Sequence, residues 1–178
     1  MDKIVEAVSP ILFKEEGASV YAVLDGGSIP DLLDKLYGDR RPEFECLYEG
    51  EIKPDLAEVA PYLVRLEAKS EFTEWVIKEG WGKHWGVFAV APVDFRAMRH
   101  HLRHFLIVHG HDGKAFYFRF YDPRVLRTYL PSCNSGELTE FFGPVKTWVL
   151  EAENPSTLLR FNLADGKLAP HKDDLKLA

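Results

Sequence analysis

Five histidines crowd into one stretch of the chain and are the residues that most invite a metal-dependent chemistry. His100, His101, His104, His109 and His111 fall within twelve positions, and His100 and His104 have the i, i+4 spacing that places two imidazoles on one helix face. A zinc-protease helix carries a glutamate directly after its first histidine, and here that position holds His101. The pattern therefore favours solvated or packing histidines and predicts no metal, while a metal-dependent hydrolase built on these histidines remains the alternative function.

Other catalytic signatures are absent from the sequence. No Gly-x-Ser-x-Gly elbow, Gly-x-Gly-x-x-Gly loop or Walker-type Gly-Lys-Ser/Thr occurs, and Cys133 lies in a Ser- and Gly-containing loop with no evident base beside it. The carboxylate pairs Glu43/Glu45 and Glu71/Glu74 occur at predicted strand or helix starts, where acids usually cap or are solvated. The residues indicate no enzyme reaction and no cofactor.

A basic helix face is the strongest candidate for binding a partner. Apolar residues recur at helical spacing and predict a helix over 93–104, with one apolar and one basic side. The apolar side carries Phe95, Met98, Leu102 and Phe105, and the basic side carries Arg96, Arg99 and Arg103. We expect these three arginines to face solvent, either as an ordinary hydrated surface or as a contact for an acidic partner protein.

Composition and charge argue against several classes of protein. The 178 residues carry a net charge of −6 and an isoelectric point near 5.6, which argues against a protein that coats nucleic acid. No run approaches the ~20 apolar residues of a membrane span, the first residues lack a signal-peptide pattern, and Cys46 and Cys133 lie far apart. The sequence therefore predicts a cytoplasmic protein without nucleic-acid or membrane partners.

Alternating strand and helix patterns predict an α/β (α+β) fold, with a mixed β-sheet flanked by helices in a single compact domain. Residues 1–17 are interpreted as an N-terminal segment, 18–163 as the domain and 164–178 as a peripheral tail. The predicted strands are 20–24, 43–48, 62–66, 85–91, 105–108, 115–121, 146–151 and 157–163, and the predicted helices are 28–37, 70–80, 93–104, 123–130 and 137–142. In the helix at 28–37 the expected N-cap is Ser28.

Two acidic dipeptides have the chemistry of structural turns. Asp25-Gly26 follows an apolar strand and suits a tight turn, whereas Asp122-Pro123 suits a helix start, with Asp122 as N-cap and Pro123 in the first turn. Arg119 can pair with Asp25 or Asp122, and we favour this ion pair over a direct partner contact. Partner contact remains the alternative for Arg119 and for its neighbour Tyr121.

An ordered series of short motifs resembles the DUF4123 family over about residues 18–150. The series includes Asp25-Gly26 after its strand, Leu47-Tyr48-Glu49-Gly50, Ala60-Pro61-Tyr62, Trp85-Gly86-Val87, Phe118 to Leu126 with Asp122-Pro123 inside it, and Phe141-Phe142-Gly143-Pro144. The resemblance implies a chaperone or adaptor of type VI secretion, which binds the N-terminal region of an effector and helps to dock it on the VgrG spike or its PAAR tip. It also implies no catalysis and no cofactor.

One departure from the family pattern bears on the mode of binding. Many relatives carry a longer helical C-terminal lobe than the stretch that follows the family core in this sequence. We therefore expect the contact made by that lobe to be handled differently here.

Overall fold

Seven antiparallel strands form the sheet at the centre of the protein. The computed structural model describes residues 2–39, 41–110 and 112–177. In spatial order the strands of the main sheet are β2 (Phe44–Cys46), β3 (Pro61–Leu66), β1 (Ser19–Asp25), β4 (Gly86–Ala91), β7 (Thr147–Glu151), β8 (Thr157–Ala164) and β9 (Lys167–Asp174). Each neighbouring pair is antiparallel. Two further strands, β5 (Ile107–His109) and β6 (Ala115–Tyr117), pair with each other in a separate two-stranded sheet.

Helices cover both faces of the main sheet, which explains why β1 is apolar at nearly every position. Side chains at Val20, Ala22 and Leu24 pack on one face with the helices α1 (Lys3–Leu12), α2 (Leu32–Leu36) and α4 (Glu71–Gly80). Tyr21 and Val23 point to the other face and pack with α5 (Phe95–Arg103), α6 (Pro123–Ser132) and α7 (Ser135–Phe142). The short helix α3 (Pro54–Val59) contributes no buried residue. The predicted α/β fold with helices against a sheet is confirmed.

The segment after β1 differs from the predicted helix over 28–37. Gly26–Ser28 forms a 3-10 turn capped by Asp25, and α2 begins only at Leu32. The Ser28 hydroxyl donates to the Asp25 carboxylate at 2.8 Å, so Ser28 does not cap the helix. Asp31 adopts a left-handed backbone with φ of 59°, which ends the turn before α2 can start.

The strand predicted over 115–121 is shorter than expected. β6 ends at Tyr117, and the chain then turns so that Phe120 is fully buried against the main sheet. A backbone hydrogen bond from Asp122 N–H to the carbonyl of Arg119 closes this turn at 3.0 Å. Burial of the Phe120 side chain therefore takes the chain out of the strand that was predicted to continue to residue 121.

The interpretation of 164–178 as a peripheral tail is wrong, because most of this stretch is the edge strand β9. It pairs with β8 over eight residues, and Leu175 just beyond it is buried. Asp165 and Gly166 both have positive φ, the requirement of a two-residue hairpin turn. The N-terminal segment holds α1, whose Val5, Val8 and Leu12 are buried. Over residues 2–39, 41–110 and 112–177, no helix has the length and apolarity needed to cross a bilayer.

Candidate partner-binding surfaces

Asp25 and Gly26 form the turn predicted at the end of β1. The Asp25 carboxylate is buried and accepts hydrogen bonds from Gly27 N–H at 3.1 Å, the Ser28 hydroxyl at 2.8 Å and Arg119 Nη2 at 2.5 Å. A Cβ at Gly26 would lie 2.6 Å from the carbonyl oxygen of Ala60, so only glycine fits there. Both residues are therefore structural.

Asp122 and Pro123 begin α6 as predicted. The buried Asp122 carboxylate accepts from the backbone N–H of Arg124 at 2.9 Å and from its guanidinium at 3.0 and 2.7 Å, and Pro123 occupies the first helical turn. Burial by itself would raise the pKa of Asp122, but the hydrogen bonds and charge of Arg124, with the charge of Arg119, outweigh burial and lower that pKa. The carboxylate is thus held as an anion at the helix N-terminus, where the helix dipole favours it.

Arg119 links these two acidic turns. Its Nη2 lies 2.5 Å from Asp25 and 3.9 Å from Asp122, so the ion pairs expected from the sequence are both present. The Arg119 side chain remains half exposed, and it can still meet a partner. Tyr121, by contrast, is buried. Burial is the largest cause that raises the pKa of its hydroxyl, and the neighbouring Tyr48 and the charge of Asp25 raise it further. The structure places Tyr121 inside the protein, which does not fit its expected role as a partner contact.

The basic side of α5 is only partly free. Arg96 is exposed as expected. Arg99 forms an ion pair with Glu45, and Arg103 donates through Nε to the carbonyl of Leu47 at 3.1 Å, so the expectation that both face solvent is wrong. The reason is that β2 and the loop after it pass beside α5, and the two arginines hold this edge of the sheet through charge-assisted hydrogen bonds.

The histidines do not converge. The rings of His100 and His104 are 4.8 Å apart between centroids, while His101 Nε2 lies 2.9 Å from a main-chain carbonyl at the end of α7. Burial lowers the pKa of His101. His109 lies in β5, and His111 falls outside the described residues. Across the described part of the chain, no group of three or more His, Cys, Asp or Glu side chains could hold a metal ion.

A buried carboxylate that the sequence analysis did not single out anchors the loop between α4 and β4. Glu151, at the end of β7, accepts from Gly82 N–H at 2.5 Å and from His84 N–H at 3.1 Å, and it lies 2.5 Å from His84 Nδ1. His84 has a left-handed backbone with φ of 61°, which these contacts stabilise. The apolar strand around Glu151 gave no signal of this contact, because its partners lie about 70 residues away.

Four of the exposed large apolar side chains lie together on the β5–β6 hairpin. Ile107, Val108, Phe116 and Tyr117 are between 42 and 68% exposed, and we call them and the two strands that carry them the apolar ribbon. Tyr117 contacts Tyr48 with ring centroids 5.6 Å apart, which joins the base of the ribbon to the loop after β2. The sequence predicts a strand over 115–121 but not its exposure, which arises because β6 extends beyond the core.

The described residues form a three-layer α/β domain in which the motif charges pair internally and the apolar ribbon is exposed. The family model described as a domain of unknown function, DUF4123, matches residues 20–140, well over half of the chain. The chain therefore belongs to the DUF4123 family, as its motifs predict. No curated protein and no solved structure matches the chain.

Proposed function

We propose that this protein is a non-enzymatic adaptor of type VI secretion, which binds the N-terminal region of an effector in the cytoplasm and assists its loading onto the VgrG/PAAR spike. The secretion role follows from the resemblance carried by the family motifs. The observation that carries a binding function is the apolar ribbon, with two aromatic and two β-branched side chains exposed together. Such groupings on soluble proteins mark surfaces that a partner covers.

The position of the ribbon in the chain supports this proposal. Residues 118–122 follow the ribbon directly, and they contain Phe120 in the core and Arg119 bound to Asp25. On the other side, Leu106 is buried just before β5 begins. Both ends of the ribbon are therefore fixed to the main domain, which lowers the entropic cost of ordering a binding surface.

Arg96 and Arg119 are the two predicted partner-binding arginines whose side chains remain substantially exposed. Arg96 is exposed on α5, and Arg119 keeps about half of its side chain exposed while it pairs with Asp25. Exposed arginines favour acidic segments of a partner through charge-assisted hydrogen bonds. Arg99 and Arg103 are left out of this proposed charged contact, because replacing them would disturb their contacts with the β2 edge.

Co-expression with a candidate effector and a VgrG-like protein, chosen from the genes that neighbour the gene for this chain, tests the proposal. We expect the effector to co-purify with the wild-type protein, and Phe116→Asp to weaken capture by about tenfold or more, because a charge cannot be buried in an apolar contact. Leu56→Asp introduces the same charge at an exposed apolar site on α3 and is the matched control. Equal effector capture by both variants, or effector loading on the spike that does not need this protein, would contradict the proposal.

The exposed charge of Arg96 has its own test. Arg96→Glu should leave thermal melting unchanged and weaken effector binding, and binding of the wild-type protein should decline as salt rises. An Arg96→Glu variant that binds as well as the wild type would leave Arg96 as an ordinary hydrated residue.

A further inference from the structure

The main chain of the apolar ribbon has unpaired hydrogen-bonding groups along both edges. Gly110 N–H donates to Lys114 and Phe118 N–H donates to Leu106, both at 2.9 Å, which sets the alternation of the ladder. In an antiparallel pair every second residue directs its N–H and C=O away from the partner strand. The outward residues are therefore Ile107 and His109 on β5 and Ala115 and Tyr117 on β6, and no hydrogen bond engages their main chain in the described part of the structure.

Both edges of the main sheet are protected, in contrast to the ribbon. The outer strand β9 carries Pro170, which has no N–H, and charged residues such as Lys172. At the opposite edge, Arg103 donates to the main-chain carbonyls of Cys46 and Leu47, so β2 is partly capped. Proline, charge and side-chain caps are the usual means by which proteins prevent pairing at a sheet edge. The strands of the ribbon contain none of them.

We propose that the apolar ribbon binds its partner by strand addition: an extended apolar segment of the effector pairs with one edge of the ribbon as a third strand. This rests on the proposed adaptor function. The outward main-chain groups repeat about every 6.8 Å, the two-residue spacing of a strand. A helix satisfies its own main-chain groups internally and would leave those of the ribbon unpaired.

The side chains of the ribbon define what the added segment should contain. Val108 and Phe116 share one face, and Ile107 and Tyr117 share the other, with apolar side chains on both. An added strand places its own side chains beside these residues on both faces. The segment is therefore apolar at consecutive positions, rather than at alternate ones.

Peptides of ten residues that tile the N-terminal region of the effector test this mode of binding without the spike. One peptide should bind the full-length chain, and backbone N-methylation at every second residue should weaken binding by about tenfold, with the intervening positions tolerant. Amide hydrogen exchange should slow at Ile107 and His109 or at Ala115 and Tyr117 when the peptide binds. Phe116→Asp should weaken the same peptide, and Leu56→Asp should not.

Other outcomes would overturn strand addition. Tolerance of methylation at every position would indicate side-chain contacts alone, whereas sensitivity at every position with induced helical circular dichroism would indicate a bound helix. A dimer of the free chain that Phe116→Asp abolishes, seen by sedimentation, would make a second copy the occupant. Binding of the intact effector with no binding peptide would refute strand addition and leave the adaptor function standing, while an effector that does not bind at all would refute the adaptor function.

Discussion

Replacing Asp122 separates a structural role for the family motif from a direct role in binding. In Asp122→Ala the helix α6 loses its N-cap, which typically costs about 1 kcal/mol. The variant also loses the hydrogen bonds between the carboxylate and the Arg124 guanidinium. Arg124 is half exposed and can rehydrate, so this second contribution is about 1 kcal/mol or less. We expect the free energy of unfolding to fall by about 2 kcal/mol in total.

Thermal melting followed by circular dichroism measures this change. For a protein of this size, about 2 kcal/mol corresponds to a fall in Tm of about 4–8 °C. Asp122→Asn retains a capping side chain and loses only the charge, so its Tm should lie between those of Asp122→Ala and the wild type. Asp94→Ala removes the exposed N-cap of α5, which pairs with no arginine among the described residues, and should cost about 1 kcal/mol.

The pH dependence of stability gives a second test of Asp122, with a predicted direction. Because the folded-state pKa of Asp122 is lowered, its charge stabilises the protein above the unfolded-state pKa of about 4. This contribution disappears as pH falls from about 4 through the lower folded-state pKa. The Tm difference between the wild type and Asp122→Asn should therefore narrow in acid. An unchanged Tm at neutral pH in Asp122→Ala, together with lost effector binding, would refute the reasoning and move Asp122 to the interface.

Three further predictions concern the core, a turn and a histidine. Leu102→Ala truncates a fully buried side chain of α5 and should lower the free energy of unfolding by about 2–5 kcal/mol in urea titrations. Gly26→Ala should lower the free energy of unfolding by about 1–3 kcal/mol in the same assay, because its methyl group would clash with main-chain oxygen. Gly27→Ala has room for the methyl group and should change this free energy by about 0.5 kcal/mol or less. Because burial lowers the pKa of His101, the urea midpoint of the wild type should fall as pH drops below about 6.5. The midpoint of His101→Gln should fall less steeply with pH. Equal pH dependence of the two midpoints would assign the decline to other groups.

The sequence predicted most elements correctly where local signals and burial agree. The apolar run that became β1 is covered on both faces, and the Ser70 cap of α4 accepts from Thr73 N–H as such caps do. β9 was missed because an edge strand needs little apolar content, although the Asp165-Gly166 dipeptide before it is a strong hairpin signal. The turn dipeptide indicated a hairpin, but the charged composition of 164–178 led to the interpretation of this stretch as a tail.

The proposed binding surface was harder to predict because it depends on distant contacts. The spacing of Arg99 and Arg103 marks one side of α5, but nothing local reveals that a segment more than 50 residues earlier in the chain covers that side. By contrast, Asp25 and Arg119 could be matched as opposite charges at predicted strand ends, and the structure joins them. Exposure of Phe116 depends on where the core stops, which the alternation of a strand does not encode.

Along the chain, the family motif lies close to the proposed binding surface. Arg119 lies two residues beyond the end of β6, and its bond to Asp25 holds that point of the chain against the end of β1. The motif charges therefore act on the ribbon by fixing its base, even though Asp25 and Asp122 are themselves buried. Loss of the Arg119 contact should loosen the ribbon and weaken binding together with stability, whereas Phe116→Asp should weaken binding alone. The contrast between these two variants separates the scaffold from the contact surface.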